Sequence, residues 1–149
     1  MGKNVIYSDV ELFLTGYIRA RLAAIAAGPS GPYKALAADV YVGASHPPTR
    51  HPKAVVVRDD DGPTTGLGTK ESSVGVTVLA GDDNTQGQEA TDLAKLVAAI
   101  VAGCPGTEAN NPVAAVLSMN GPFRATEESG QPRRYFTANL AVTGKAFDI

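Results

Sequence analysis

The chain has 149 residues, of which 13 are basic and 15 acidic, so its formal charge at neutral pH is -2. This length suits a single domain, residues 1–149, and the balanced charge disfavours a groove that holds nucleic acid by its phosphates. Cys104 is the single cysteine, which excludes an internal disulfide. No apolar run is long enough for a membrane span and no signal peptide is recognisable, so we expect synthesis in a reducing cytoplasm and no membrane partner.

The first predicted element is a helix over about residues 9–27. Ser8, with Glu11 three residues later, forms a capping-box signature, and Gly28-Pro29 marks the other end. One apolar stripe runs along this helix: Val10, Leu14, Ile18, Leu22 and Ile25. We therefore expect a helix that packs one face on a core and exposes the other.

Three strands are predicted next, at residues 39–42, 54–58 and 72–79, each apolar enough to face a core. The segment 43–52 contains three prolines and is predicted to be an extended surface loop. The acidic turn 59–63 and the aperiodic segment 64–70 predict a long, mobile tip on the hairpin that joins the second and third strands.

The third strand and the helix after it form the centre of the predicted fold. Val74, Val76 and Val78 share one face of the strand, which gives way at the polar turn 81–84 to a helix that ends at Ala102. The apolar positions of that helix recur at spacings of three and four: Leu93, Leu96, Val97 and Ile100. Such a stripe can lie directly on the three valines.

Two strands are predicted in the C-terminal part. The first covers residues 113–119 and is broken by Asn120-Gly121-Pro122, and an exposed loop follows at 127–132. One side of the first strand is formed by Val113, Ala115 and Leu117. Four apolar residues alternate along the second: Phe136, Ala138, Leu140 and Val142.

This order of elements, αβββαββ, predicts an α+β fold. Hairpin-like links between successive strands favour a largely antiparallel sheet of about five strands. The apolar stripes of the two helices then pack on one face of that sheet.

We find no catalytic, cofactor-binding or metal-binding motif, so we expect a protein that is not an enzyme and holds no cofactor. His46 and His51 lie in the proline-rich loop without the further ligands that a zinc site requires. The glycines before Lys70 lack the P-loop spacing, and Cys104 lacks the cationic surroundings of a reactive thiol. Arg133-Arg134 either contacts a phosphate backbone or caps a strand end.

Five parts of the sequence, taken in their order and spacing, carry a family resemblance. They are DVE at 9–11 with RARL at 19–22, VVVRD at 55–59, VGVTVL at 74–79, ATDLAKLV at 90–97, and GP at 121–122 followed by SGQPRRY at 129–135. Together they resemble the tail terminator (tail completion) proteins of long-tailed bacteriophages, especially those of phages of actinobacteria. The resemblance covers most of the chain.

The resemblance implies a structural virion protein without enzyme activity or cofactor. Such a subunit forms a ring with copies of itself, a hexamer in that family, on the head-proximal end of the tail tube. The ring stops polymerisation of the tail tube protein and docks to the head-tail connector protein. Genomic DNA passes through its lumen without specific binding.

We expect two loops, 59–70 and 120–134, to contact the tube or the connector and to become ordered on contact. The candidate contact residues are Asp59, Asp60, Asp61, Thr64, Thr65, Leu67, Lys70, Phe123, Arg124, Arg133 and Arg134. A second hypothesis places an acidic cluster, Asp59 to Asp61 or Asp82 with Asp83, along the channel, where like charge keeps DNA from sticking.

The sequence also allows three alternative interpretations. A head-closure or connector ring of the phage neck, or an adaptor there, has subunits of similar pattern. A small cytoplasmic enzyme or ligand-binding domain requires a deep pocket with converging polar groups. Without the resemblance, the sequence indicates an α+β domain and no function.

Overall fold

The computed structural model describes residues 4–82 and 87–148. Its elements are β1 Asn4–Tyr7, α1 Val10–Ala27, α2 Lys34–Ala37, β2 Tyr41–Gly43, β3 Lys53–Asp59, β4 Thr64–Gly66, β5 Thr69–Ala80, α3 Gln88–Ala102, β6 Val113–Ala125 and β7 Arg133–Phe147. The predicted α+β class is confirmed. The predicted order holds roughly, because β1, α2 and β4 are additional to it. Asp83 and the end of the predicted turn 81–84 lie outside the described residues.

The sheet is built around β7. This strand pairs antiparallel with β5 and with β6 along most of its length, and its last residues pair with β1. β3 lies antiparallel beside β5, β2 lies parallel to β3, and β4 folds back on the first residues of β5. The sheet is therefore largely antiparallel, as predicted.

The core lies between one face of this sheet and the helices α1 and α3. Val74, Val76 and Val78 of β5 are fully buried there, beside the four alternating apolar residues of β7. Leu93 and Val97 of α3 are buried in the same cluster, so the predicted packing of this helix on the valines is confirmed. Each such side chain contributes about 1.5–3 kcal/mol by leaving water.

The start of α1 differs from the predicted capping box. Asp9, and not Ser8, caps the helix: its Oδ1 accepts a hydrogen bond of 2.9 Å from the amide of Leu12. Glu11 is used elsewhere, since its Oε2 accepts from the amide of Asp59 at 2.9 Å. Glu11, which the sequence predicts to be part of the N-terminal cap, therefore joins α1 to the end of β3.

β6 does not end at Asn120, so the predicted break there is wrong. The strand runs on to Ala125 and absorbs Gly121 and Pro122 in a register shift between Asn120 and Phe123. Proline is tolerated because β6 pairs, among the described residues, with β7 alone, and an edge strand does not need every amide for the ladder.

The predicted faces of β6 are also wrong. Register shifts occur between Val113 and Ala115 and again between Val116 and Ser118. Each extra residue moves the following side chains to the other face, so Val116 and Met119 pack on the core while Leu117 is 51% exposed.

The segment 64–70, predicted to be aperiodic, is a hairpin whose pairing contains a register shift between Thr64 and Gly66. Thr64 pairs with Lys70 and Gly66 with Thr69, which leaves Leu67 and Gly68 as a two-residue turn. Gly68 has a φ of 83°, a conformation that glycine adopts without strain. Likewise, residues 120–125 and 133–134 of the predicted second loop belong to strands, so only 126–132 is a loop.

Candidate functional site

The predicted contact residues fall into two groups at opposite ends of the sheet. β5 pairs with β7 from Thr69 opposite Thr143 to Leu79 opposite Arg133. In an extended strand this separation corresponds to about 33 Å. The first group begins at Asp59, opposite Val74 in the middle of β5, and runs from there to Lys70 at the first end. The other group lies at the second end: Phe123, Arg124, Arg133 and Arg134.

The first end, which we call the hairpin end, comprises β1, the first turn of α1, residues 59–70 and residues 143–147. Its parts are joined by the backbone: the amide of Gly144 donates to the carbonyl of Gly68 at 3.0 Å. Asn4 pairs with Phe147 and Ile6 with Lys145. The hairpin turn therefore lies directly beside the β1–β7 pair.

Large apolar side chains are exposed at the hairpin end. Four of the seven such residues in the described chain are found here: Ile6 (62%), Leu12 (71%), Leu67 (91%) and Phe147 (45%). Paired residues and alternate residues of a strand share a face, so Ile6 and Phe147 point to the same side of the sheet. Exposed apolar groups concentrated in this way mark interaction surfaces.

The acidic residues of the hairpin end are largely paired. Asp60 accepts from Arg58 at 2.8 Å, and Asp61 accepts from Lys70 at 2.6 Å. The hydrogen bond from Lys70, supported by the amide of Gly62, lowers the pKa of Asp61. This part of the surface is therefore less acidic than the three consecutive aspartates suggest.

The second end carries an open groove of about 460 Å³. Its lining includes three arginines and the start of α3, and we call it the arginine groove: Arg124, Arg133, Arg134, Gly87, Gln88 and Thr91. Arg124 lies directly opposite Arg134 in the β6–β7 pairing. Like charges in that position repel each other.

Arg134 is 8% exposed and is held by neutral oxygens. Its Nε donates to Thr91 Oγ1 at 3.0 Å, its Nη2 to the carbonyl of Gly87 at 3.1 Å, and its Nη1 to the carbonyl of Arg133 at 3.0 Å. Burial, followed by the charge of Arg124, lowers the pKa of Arg134. These contacts join β7 to the start of α3. Arg134 therefore resembles the predicted cap of a strand end more than an arginine that is free to contact a phosphate backbone.

Arg133 and Arg124 are the accessible charges of the groove. Arg133 Nη1 lies 3.9 Å from Glu127 Oε2, and its Nη2 donates to Thr77 Oγ1 at 3.4 Å. The Nε of Arg133 is buried and has no hydrogen-bond partner within residues 4–82 and 87–148. Arg124 is exposed, and Phe123 beside it is an exposed aromatic residue opposite Tyr135.

Sequence reasoning missed part of both surfaces. Leu12 carried a usable signal, because it is a large apolar residue outside the buried stripe of α1. Ile6 and Phe147 lie in a four-residue pairing too short to show a pattern. Gly87 and Thr91 enter the groove only because Arg134 reaches them across the fold.

Residues 4–82 and 87–148 are the part of the chain that the structure describes. That part of the chain holds no cluster of three or more metal-ligating side chains, and no helix there combines the length and apolar character of a bilayer crossing. Cys104 is completely buried, and burial raises the pKa of its thiol to about 11.

Comparison with known proteins identifies no relative: no family model matches the chain, and no curated protein sequence matches it. Its function is therefore inferred from the hairpin end and the arginine groove, together with the sequence resemblance described above.

Proposed function

We propose that the chain is a structural subunit of a long-tailed bacteriophage. Copies of it form a ring on the head-proximal end of the tail tube, stop polymerisation of the tube and join the tail to the head-tail connector. The support is the resemblance in the order and spacing of sequence segments, together with one structural observation. That observation is the exposure of Ile6, Leu12, Leu67 and Phe147 at one end of the sheet.

Leu67 is the strongest single element of this support. The turn requires a glycine at position 68, but the residue before it can be almost any residue. A leucine that is 91% exposed there contributes nothing to the hairpin itself. Covering such a side chain with a partner contributes about 1.5–3 kcal/mol, so the residue suits a docking contact.

The opposite character of the two ends also supports a ring subunit. Ring closure needs a heterologous interface, in which one surface meets a different surface of the next copy, with about 800 Å² buried per partner. The apolar hairpin end and the cationic groove are two surfaces of different chemistry on one chain. A subunit placed between a tube and a connector also requires two different contacts.

A neck position, as a head-closure or connector ring, uses the same surfaces. The two positions differ in their partner, so binding of the purified protein to tail tubes or to portal complexes distinguishes them.

The proposal is tested by tube length. Tail tube protein is polymerised with the wild-type chain or with the double variant Ile6→Ser, Leu67→Ser, and tubes are measured in electron micrographs. We expect the wild type to limit tube length and to appear as an annulus at one tube end, while the variant gives longer, uncapped tubes.

Leu117→Ser is the matched control, because Leu117 is an exposed leucine on β6, outside the hairpin end. It should cap tubes like the wild type. Tubes of equal length with the wild type, with the double variant and without the chain would reject the proposal.

A further inference from the structure

Three cationic side chains converge on the arginine groove. Arg124 and Arg134 oppose each other across β6 and β7, and Arg133 lies opposite Ala125 in the next pair. The partial positive charge at the start of α3 adds to theirs, since Gly87 and Gln88 line the same groove.

This positive charge is poorly compensated by the chain. Among the described residues, Glu127 is the carboxylate that approaches the cluster, and it stays 3.9 Å from Arg133. Arg134 uses three neutral oxygens and so keeps its full charge. Close like charges cost free energy, and a bound anion removes that cost.

The charges around the groove select the kind of anion. Glu127 and Glu128 lie in the loop beside it, and Glu89 lies in the first turn of α3. The phosphates of a nucleic-acid strand are fixed in its backbone, so the whole backbone would have to pass these carboxylates. A side chain that ends in one carboxylate can enter the groove alone and meet an arginine with two parallel hydrogen bonds.

We infer that the arginine groove is a docking site for an acidic segment of a partner protein, whose aspartate or glutamate side chains bind Arg124 and Arg133. The identity of this partner rests on the proposed function, whereas the chemistry of the groove does not. In that function, the partner lies on the opposite side of the subunit from the hairpin end. Arg134 positions the groove by holding β7 to α3.

A labelled oligoglutamate peptide is the probe, and its binding is followed by fluorescence anisotropy. Arg124→Gln should weaken binding about tenfold, and Arg124→Glu should weaken it further, because each removes a charge-assisted contact. Arg124 is exposed, and circular dichroism with thermal unfolding verifies that both variants fold.

Lys145→Gln is the control, since Lys145 is an exposed cation at the other end of β7, opposite Ile6 in the β1–β7 pairing. It should bind the peptide like the wild type. The inference is overturned if the peptide does not bind, if Lys145→Gln weakens its binding as much as Arg124→Gln does, or if a DNA duplex or inorganic phosphate binds the groove more tightly than the peptide.

Tube capping separates this inference from the proposed function. Rings of Arg124→Gln should still stop tube growth through the hairpin end but should lose attachment of an acidic partner. A wild-type chain that binds the peptide and does not cap tubes would reject the proposed function and leave the groove assignment standing.

Discussion

At the scale of single residues, Cys104 shows how surroundings decide what a side chain can do. The residue follows the C-terminus of α3 and is buried in the main apolar cluster. Burial disfavours the charged thiolate and raises the thiol pKa from 9.0 to about 11. Cys104 is therefore a packing residue of the core.

The raised pKa of Cys104 predicts a stability change in alkaline solution. Between pH 9 and 11 the unfolded chain loses the thiol proton while the folded chain keeps it, so the free energy of unfolding falls as pH rises. We expect Cys104→Ala to remove on the order of 2 kcal/mol of this loss by pH 11. Urea unfolding of both proteins across that range measures it, and parallel slopes would contradict it.

At the scale of elements, the buried face of a helix or strand is predicted best where its apolar residues recur at a regular spacing. α1, α3 and β7 have uninterrupted apolar periods, and the residues that these periods select all pack on the core, with Ile25, Leu96 and Ile100 only partly buried. β6 has an equally apolar sequence, but its register shifts carry Val116 and Met119 to the core face in place of Ala115 and Leu117. Bulges depend on the neighbouring strand, so an alternation rule applied to β6 alone cannot find them.

The residues of the hairpin end and of the arginine groove were also predictable only in part. Leu67 and the arginines could be named because they lie in segments rich in glycine and polar residues at the ends of well-patterned strands. The role of Arg134 could not, because its partners Gly87 and Thr91 belong to a helix distant in sequence. Local patterns contain no information about such contacts.

Gly87 allows a direct test of the link between β7 and α3. A Cβ at this position would collide with Nη2 of Arg134, although the backbone φ of -75° suits any residue. Gly87→Ala should therefore displace the tip of the flexible Arg134 side chain and reduce the free energy of unfolding by about 0.5–1.5 kcal/mol, because the hydrogen bond from Nη2 to the carbonyl of Gly87 is weakened.

Gly16→Ala is the matched control, because Gly16 lies within α1 and has no atom near an added Cβ. It should stabilise the protein by about 0.5–1 kcal/mol through the higher helix propensity of alanine. Chemical denaturation of both variants gives the two values, and the same sign for both would refute this account.

At the scale of the whole molecule, the two ends of the sheet should respond differently to salt. Contacts of the hairpin end bury apolar surface, which salt does not screen, whereas the arginine groove acts through charge. Raising NaCl from about 0.1 M to about 1 M shortens the screening length from about 10 Å to about 3 Å.

We therefore expect oligoglutamate binding to weaken strongly over this range of salt, while tube capping persists. Anisotropy and electron microscopy of the same samples measure both. Loss of capping with retained peptide binding would reverse the assignment of the two ends.

The pairing of β7 has a consequence for how a copy of this protein is made. β7 follows the other described elements along the chain, and β1, β5 and β6 all take their hydrogen-bonding partner from it. During translation, until residues 133–147 have left the ribosome, β1 and β6 lack the strand with which they pair and β5 can pair only with β3 and β4. A nascent copy therefore cannot present Phe147 beside Ile6, and unfinished copies are kept out of any assembly that depends on that pair.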